Sequence, residues 1–193
     1  MTLTLGSTSL RRRELLSLLR VQFRVLAPEG VDETPLDGER PVELVRRLAV
    51  DKARSVDGDP VLAADTVVEV DGDVLGKPAD ADDARRMLQR LSGRTHFVHT
   101  GVAVRSGERV EVEVVTTSVR FASMTAEAIE WYLETGEPFD KAGAYAIQGA
   151  GGAFVEGVEG SVSNVVGLPL PTVVAMLGTR VFRESTSRHQ TLG

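Results

Sequence analysis

The segment VLAADTVVEV, residues 61–70, constrains the fold more than any other part of the sequence. It is almost continuously apolar and rich in β-branched residues, a pattern typical of a strand that is covered on both faces. Asp71-Gly72 follows it directly and is a strong hairpin-turn signal. The carboxylate of Asp65 lies in the middle of this run. We therefore predict a buried strand that contains Asp65 and ends in a hairpin.

Strand-like and helix-like segments alternate along the rest of the chain. Apolar periodicity predicts further strands at residues 3–5, 21–27, 95–105 and 110–114, and helices at 10–19, 42–56, 80–91, 124–135 and from 169 onwards. The strands at 95–105 and 110–114 are predicted to form a hairpin across Ser106-Gly107. Residues 136–167 are rich in glycine, which indicates tight turns or close backbone approaches. The mixture predicts an α/β fold with a mixed sheet.

Composition and charge exclude several classes of protein. With 22 Lys and Arg against 28 Asp and Glu, the net charge is −6, whereas nucleic-acid binders need an excess of cations. There is no cysteine, and no stretch approaches the roughly 20 apolar residues of a membrane span. We expect a cytoplasmic protein without nucleic-acid or membrane partners. Its 193 residues predict one domain over residues 1–183 and a polar tail at 184–193.

The loop between the first strand and the first helix has the residues of an anion site. Gly6-Ser7-Thr8-Ser9 leads into a helix that opens with Arg11, Arg12 and Arg13. Cations at a helix N-terminus are disfavoured by roughly 0.3–1 kcal/mol each, and a bound phosphate would offset this. The alternative is a solvated basic turn that pairs with Glu14 or a distant carboxylate.

Asp65 needs a partner, because a carboxylate among apolar residues is costly to bury alone. It could bind Mg²⁺ or Mn²⁺, with or without accepting a proton from an attacking water. The alternative is a structural Asp that accepts hydrogen bonds from backbone amides. Glu33, in the polar loop at residues 28–41, is a candidate second ligand, although a loop Glu is more often only solvated.

Three lysines are further candidates for phosphate contacts. Gly76-Lys77-Pro78 is not a phosphate-binding P-loop, because its spacing from Gly72 is one residue short and Pro78 stands where Ser or Thr is required. Lys77 remains a possible point charge for a phosphate, as do Lys52 and Lys141. Each of them is, taken singly, more often a surface residue.

Together these segments resemble the Maf family of nucleotide pyrophosphatases, also called septum formation proteins. The resemblance runs from Leu5 to about Leu177. One departure is Leu10, where the family usually has proline. The matching stretches occur in the family's order and are LGSTSLRRRELL, Val31-Asp32-Glu33, RLAVDKA, VLAADTVVEVDGDVLGKP, LSGRTHFVHTGVAV, GEPFDKAGAYAIQG and GSVSNVVGLPLP.

The resemblance implies a fold, a site and a cofactor. The fold would be a mixed twisted sheet with flanking helices and two lobes around a cleft, as in the inosine triphosphatase group, usually in a homodimer. A divalent cation, Mg²⁺ or Mn²⁺, would be the cofactor. The site roles that the resemblance implies are Asp65 as the catalytic proton acceptor, Glu33 with Asp65 as metal ligands, and Ser7, Arg12, Lys52 and Lys77 as ligands of the triphosphate.

The resemblance also implies a substrate class. The branch of the family that acts on dTTP and UTP is marked by three residues, which correspond to Arg11, Thr66 and Gln148 here. We therefore expect an enzyme that hydrolyses dTTP and UTP, together with modified pyrimidine nucleotides, to a monophosphate and pyrophosphate, as a house-cleaning reaction. The alternatives are a purine or modified-nucleotide hydrolase, and a nucleotide-binding regulator of cell division whose turnover is incidental.

Overall fold

A computed structural model describes residues 2–187, with side-chain surroundings through residue 178. It contains seven strands and six α-helices, with three short 3₁₀ helices between α4 and β7. The strands are β1 (Leu3–Gly6), β2 (Phe23–Leu26), β3 (Val61–Val70), β4 (Asp73–Leu75), β5 (Thr95–Ser106), β6 (Arg109–Phe121) and β7 (Val155–Glu159). The helices are α1 (Leu10–Leu18), α2 (Pro41–Arg54), α3 (Ala81–Leu91), α4 (Ala126–Glu134), α5 (Val162–Val166) and α6 (Leu170–Ser187).

All seven strands belong to one mixed sheet, which confirms the predicted α/β class. The order is β2-β1-β3-β5-β6-β7, and β4 pairs with β3 outside this path. Strand β1 is parallel to both β2 and β3, whereas β4 is antiparallel to β3 and β7 is antiparallel to β6. The carboxyl ends of β1, β2 and β3 therefore lie at the same edge, which is where open α/β sheets place their ligands.

The described chain forms two compact units. The first comprises the described residues of 1–65, 100–115 and 167–193, and the second comprises 66–99 and 116–166. The boundary in β3 falls between Asp65 and Thr66. The predicted tail at 184–193 overlaps the end of α6, and its residues 188–193 lie outside the described residues. Within residues 2–187, no helix combines the length and apolarity required to cross a bilayer.

Strand β3 has the predicted bounds and the predicted environment. Every residue of it is buried except Thr66 and Glu69, which are half-buried. Asp71 and Gly72, both with positive φ, form the turn that returns the chain into β4. The predicted hairpin is therefore confirmed. Strand β3 is mostly apolar because both of its faces are covered.

Helix α2 packs closely on the sheet within the first unit. Pro41 occupies its first turn, and the Glu43 carboxylate accepts a hydrogen bond from the Arg40 backbone N–H at 3.2 Å, so both residues favour a helix start here. A Cβ on Gly101 of β5 would lie 2.1 Å from the Val45 carbonyl oxygen of α2. Only glycine permits this approach, which seats the helix against the strand.

The glycine-rich stretch contains more structure than its sequence predicts. It forms 3₁₀ helices at Glu137–Asp140, Ala142–Ala144 and Ala150–Phe154, followed by β7 and the short helix α5. Strand β6 is also longer than the predicted 110–114, because its second half continues the alternation with buried Thr117, Val119 and Phe121. Because the buried Thr117 is polar, the two-residue alternation of buried side chains is not visible from hydrophobicity alone.

The core of the second unit encloses a histidine. His96 is completely buried, and its ring lies edge-on to Phe121 and Tyr145 with centroids 4.9 and 5.3 Å away. Its Nε2 is hydrogen-bonded to the Tyr145 hydroxyl at 2.8 Å, and its Nδ1 is buried without a hydrogen-bond partner. Burial in this apolar site lowers the pKa of His96 to about 4. The imidazole is therefore neutral at physiological pH.

Because His96 is neutral in the folded protein and has an ordinary pKa near 6.5 when unfolded, it couples stability to pH. Its contribution is fully present above pH 6.5 and is lost as the pH falls to about 4, by roughly 3 kcal/mol in total. We predict that His96→Gln, which cannot titrate, lacks this component. The unfolding free energies of both proteins are measured by urea titration between pH 7 and pH 4. The difference between the two proteins should change by that amount over this range, and a constant difference would contradict the prediction.

Candidate active site

Asp65 lies just beyond the point where β3 loses its parallel partner β1. The register pairs Gly6, the last residue of β1, with Ala63, so Asp65 is two residues further along and on the same side of the strand. Only 7% of Asp65 is exposed. The buried carboxylate predicted from the sequence therefore lies next to the carboxyl end of β1, where the loop that leads to α1 begins.

The partner of Asp65 is a lysine from α2. The Lys52 Nζ donates a hydrogen bond to Asp65 Oδ1 at 2.6 Å, and it lies 2.6 Å from Glu33 Oε1. Lys52 and Asp65 are both buried, whereas 63% of the Glu33 side chain is exposed. One ammonium thus contacts two carboxylates that are 32 residues apart in the sequence, and it offsets the cost of burying Asp65.

The cluster of Lys52, Asp65 and Glu33 carries one more negative than positive charge. Its two carboxylates present oxygen atoms around one cation, which is the donor type that Mg²⁺ and Mn²⁺ prefer. Among the described residues, no group of three or more histidine or acidic side chains is arranged to hold a metal ion. A metal ion at this cluster would therefore need oxygen ligands from a bound molecule or from water.

The loop after β1 folds back on the first helix. Ser9 caps α1, with its hydroxyl accepting a hydrogen bond from the Arg12 backbone N–H at 3.4 Å. The buried Ser7 hydroxyl accepts from the Ser9 amide at 3.2 Å and from the Arg12 guanidinium at 3.4 Å. Arg12 Nε donates to the Gly167 carbonyl at 2.8 Å. The structure thus brings Ser7 and Arg12 together, in agreement with an anion-binding loop.

The charge of Arg12 is linked electrostatically to the carboxylate cluster. Burial lowers the pKa of its guanidinium, and the charges of Asp65 and Glu33 act in the opposite direction. An arginine nevertheless remains protonated in proteins. Arg11 is half-buried and disfavours the charge on Arg12, so two guanidinium groups lie near one another at the start of α1. A bound anion would relieve that repulsion.

A second arginine, Arg47 of α2, fixes the segment that carries Glu33. The Arg47 guanidinium donates to the carbonyl oxygens of Asp32 and Thr34, at 3.2 and 3.0 Å, which are the residues on either side of Glu33. It also forms a bidentate salt bridge with the Glu39 carboxylate, with donor–acceptor distances of 2.7 and 2.8 Å. These hydrogen bonds lower the pKa of the Glu39 carboxyl. Arg47 and Lys52 therefore attach one loop to one helix.

The C-terminal end of α2 is fixed by a third arginine, from β5. The Arg105 guanidinium donates to the carbonyl oxygens of Ala53, Val56 and Gly58 at 2.9, 2.8 and 3.0 Å. Carbonyl groups at a helix C-terminus have no partner within the helix, and a cation there also complements the helix dipole. Because Lys52 is adjacent to Ala53, Arg105 helps to hold the lysine in place.

The remaining predicted site residues belong to the second unit. Thr66 is half-buried and follows Asp65 in β3, whereas Lys77 and Gln148 are exposed. Lys77 comes two residues after β4, and Gln148 lies in the turn before the 3₁₀ helix Ala150–Phe154. Lys141 is engaged locally, since it donates to the Glu137 carbonyl at 3.0 Å and contacts Asp140.

Comparisons with known proteins show which family the chain belongs to. The family model of Maf-like proteins matches residues 2–180. The chain belongs to the Maf family. It is 58% identical to the dTTP/UTP pyrophosphatase of Anaeromyxobacter dehalogenans strain 2CP-1 over 91% of this chain and 92% of the relative. The dTTP/UTP pyrophosphatases of Myxococcus xanthus and Symbiobacterium thermophilum are 54% and 53% identical, each over 91% of this chain and 90% and 92% of the relatives.

Sequence reasoning about this Maf protein missed Arg47, Arg105 and the Gly167 carbonyl. Arg47 is visible in the sequence as one of several basic residues of a helix, but its targets are backbone carbonyls 13 and 15 residues away. Arg105 reaches back 47 to 52 residues. No local pattern marks such contacts, because they depend on where the loop and the helix meet in the folded chain.

We predict that Arg47→Gln loosens the segment around Glu33. The variant loses the contacts with two backbone carbonyls and the Glu39 carboxylate, which should lower the unfolding free energy by about 2 kcal/mol. Amide hydrogen exchange of residues 32–39 should accelerate.

Arg46→Gln is the matched control, because the neighbouring Arg46 donates a hydrogen bond to the Val112 carbonyl, at 3.3 Å, on another element and not to the segment around Glu33. Equal exchange rates in both variants would show that Arg47 does not fix this segment.

Proposed function

We propose that this Maf protein hydrolyses dTTP and UTP to the nucleoside monophosphate and pyrophosphate. The observation that carries the proposal is its identity of 50–58% with relatives named dTTP/UTP pyrophosphatase, each covering 87% or more of the relative's length. The cluster of buried Asp65 and Lys52 with the exposed Glu33 supports it, because carboxylates and cations are the groups that cleavage of a phosphoric anhydride requires. Water adds across the bond between the α- and β-phosphates.

The phosphates would be held by Ser7, Arg12, Lys52 and Lys77. Ser7 and Arg12 offer a hydroxyl and a guanidinium fork at the start of α1, where the helix dipole also favours an anion, and together these suit a phosphate. Lys52 contributes an ammonium from α2. Positioning the triphosphate and balancing its charge are the main tasks of these side chains.

The residues present fit a divalent cation, Mg²⁺ or Mn²⁺. Asp65 and Glu33 already contact one cationic group, the Lys52 ammonium, so their oxygens are oriented toward a common positive charge. Magnesium usually binds one or two carboxylates and takes its other ligands from phosphates and water. When bound, the ion neutralises phosphate charge and lowers the pKa of a coordinated water.

Asp65 serves this reaction in one of two ways. It either accepts the proton of the attacking water or holds the metal ion beside it. In both cases its burial next to Lys52 keeps the carboxylate fixed in β3.

The base of the nucleotide would be selected by Arg11, Thr66 and Gln148, since the glutamine amide offers both the donor and the acceptor that a uracil or thymine edge requires.

We further propose, on the family resemblance, that the enzyme is a cytoplasmic homodimer that removes excess or non-standard pyrimidine triphosphates.

A substrate panel tests the proposed reaction. Pyrophosphate release should be fastest with dTTP and UTP, slower with CTP, ATP, GTP, ITP and 7-methyl-GTP, and dependent on added Mg²⁺ or Mn²⁺. Each reaction is followed with a coupled inorganic pyrophosphatase, and the monophosphate is identified by chromatography. Equal rates on all common nucleotides would refute the pyrimidine assignment. Release of orthophosphate in the absence of the coupling pyrophosphatase would refute the bond assignment.

We predict that Asp65→Asn lowers kcat for UTP by a factor of about 10² to 10⁴, the usual contribution of a positioned acid–base or metal-binding group. The matched control is Asp71→Asn in the turn of the same hairpin, where asparagine suits the positive φ of 54°. This control should retain the activity of the unaltered protein.

The affinity of Asp65→Asn for Mn²⁺, measured by calorimetry, separates the two roles. Weaker binding identifies a metal ligand, whereas unchanged binding with lost turnover identifies a proton acceptor. Retained turnover in Asp65→Asn would rule out both roles.

A further inference from the structure

A partly buried network of hydrogen bonds in the second unit surrounds the turn that carries Gln148. Its centre is the Glu137 carboxylate at the start of the 3₁₀ helix Glu137–Asp140. Glu137 Oε2 accepts a hydrogen bond from the Ala150 N–H at 3.0 Å, and Oε1 accepts one from the Gly151 N–H, also at 3.0 Å. One side chain thus binds two consecutive amides that follow Gln148 by two and three residues.

Tyr132 extends this network to the other side of the turn. The hydroxyl of Tyr132, a fully buried residue near the end of α4, donates to Glu137 Oε1 at 2.7 Å and accepts from the Ala146 N–H at 3.1 Å. Ala146 precedes Gln148 by two residues. The backbone on both sides of Gln148 is therefore attached to the same pair of side chains.

The turn itself is tight and exposes the glutamine. The Gly149 N–H donates to the Ala146 carbonyl at 3.2 Å, which closes a four-residue turn with Gln148 at its third position. Gln148 is exposed, whereas Tyr132 beneath the turn is not. The network therefore determines the direction of the Gln148 backbone without contacting its side chain.

The glycines next to Gln148 leave room for the Glu137 and Tyr132 side chains. A Cβ on Gly149 would lie 1.9 Å from Glu137 Oε2, and one on Gly151 would lie 2.5 Å from the Tyr132 hydroxyl. Both distances are far below a van der Waals contact. The glycine spacing is thus explained by the carboxylate and hydroxyl that the backbone covers.

The hydrogen bonds keep both groups in the required protonation states. Burial raises the pKa of the Glu137 carboxyl, but the hydrogen bonds from Tyr132, Gly151 and Ala150 outweigh it and leave that pKa below its usual range. Burial and the neighbouring carboxylate raise the pKa of Tyr132. At neutral pH the carboxylate is ionised and the hydroxyl remains a donor.

We propose that Glu137 is a positioning residue for base selection, which with Tyr132 fixes the turn that presents Gln148 to the pyrimidine. This inference rests on the proposed function, since it assumes that Gln148 contacts the base. The chemistry is specific, because uracil and cytosine exchange a donor and an acceptor at the edge that an amide reads. A fixed turn holds the glutamine amide at one distance and angle from the base, whereas a loose turn lets the amide shift to suit either edge.

Three variants remove the network in steps. Glu137→Ala removes all three hydrogen bonds to the carboxylate, Glu137→Gln replaces one oxygen by a donor that faces another donor, and Tyr132→Phe removes only the hydroxyl. Glu134→Gln, an exposed position at the end of α4, is the matched control. Steady-state kinetics are measured with UTP and CTP, and amide exchange is measured over residues 146–152.

We expect the ratio of kcat/KM for UTP to that for CTP to fall about tenfold in Glu137→Ala and about threefold in the two milder variants. Exchange of the turn amides should accelerate in the same order, while Glu134→Gln leaves both quantities unchanged. An unchanged ratio with faster exchange would overturn the role in selection. Unchanged exchange would overturn the positioning itself.

The two milder variants keep the test decisive if Glu137→Ala does not fold. Failure of the proposed function is recognised separately, because the unaltered protein would then show no preference for UTP over CTP before any variant is compared. The exchange measurement does not depend on the substrate, so it tests the anchoring of the turn in either event.

Discussion

The ammonium of Lys52 lies against the carboxylates of Asp65 and Glu33, and the arrangement of the first unit around them depends on this contact. Asp65 comes from a covered strand, where an unpaired charge would cost several kcal/mol. Lys52 comes from α2, which the glycine at position 101 admits close to the sheet. Helix placement, strand burial and loop position are thus coupled through one nitrogen atom.

Each unit holds an irregular segment by a single side chain with several hydrogen-bonding atoms. In the first unit, Arg47 donates to the carbonyls that flank Glu33. In the second, Glu137 accepts from the amides that follow Gln148. Segments outside helices and sheets have backbone groups that lack a regular hydrogen-bond partner. A guanidinium supplies donors for their carbonyl oxygens, and a carboxylate supplies acceptors for their amide N–H groups.

The sequence predicts the regular elements well because their signals are local. The bounds of β3 and its hairpin follow from an apolar run and an Asp-Gly turn, and Asp65 stands out because a charge there violates the pattern. Strand β6 is underestimated because Thr117 is a polar residue at a buried position. The supporting contacts of Arg47, Arg105 and Glu137 are not predictable in this way, since they join segments whose proximity exists only after folding.

The fit between Glu137 and the backbone at Gly149 limits the order in which this turn can change during evolution. Any side chain at position 149 collides with the carboxylate, whereas loss of the carboxylate creates no collision. A lineage can therefore lose the acid first and fill the glycine position later, whereas the reverse order passes through an intermediate whose carboxylate is pushed out of its hydrogen bonds with the turn. Across relatives, a residue larger than glycine at 149 should accompany a shorter side chain at 137.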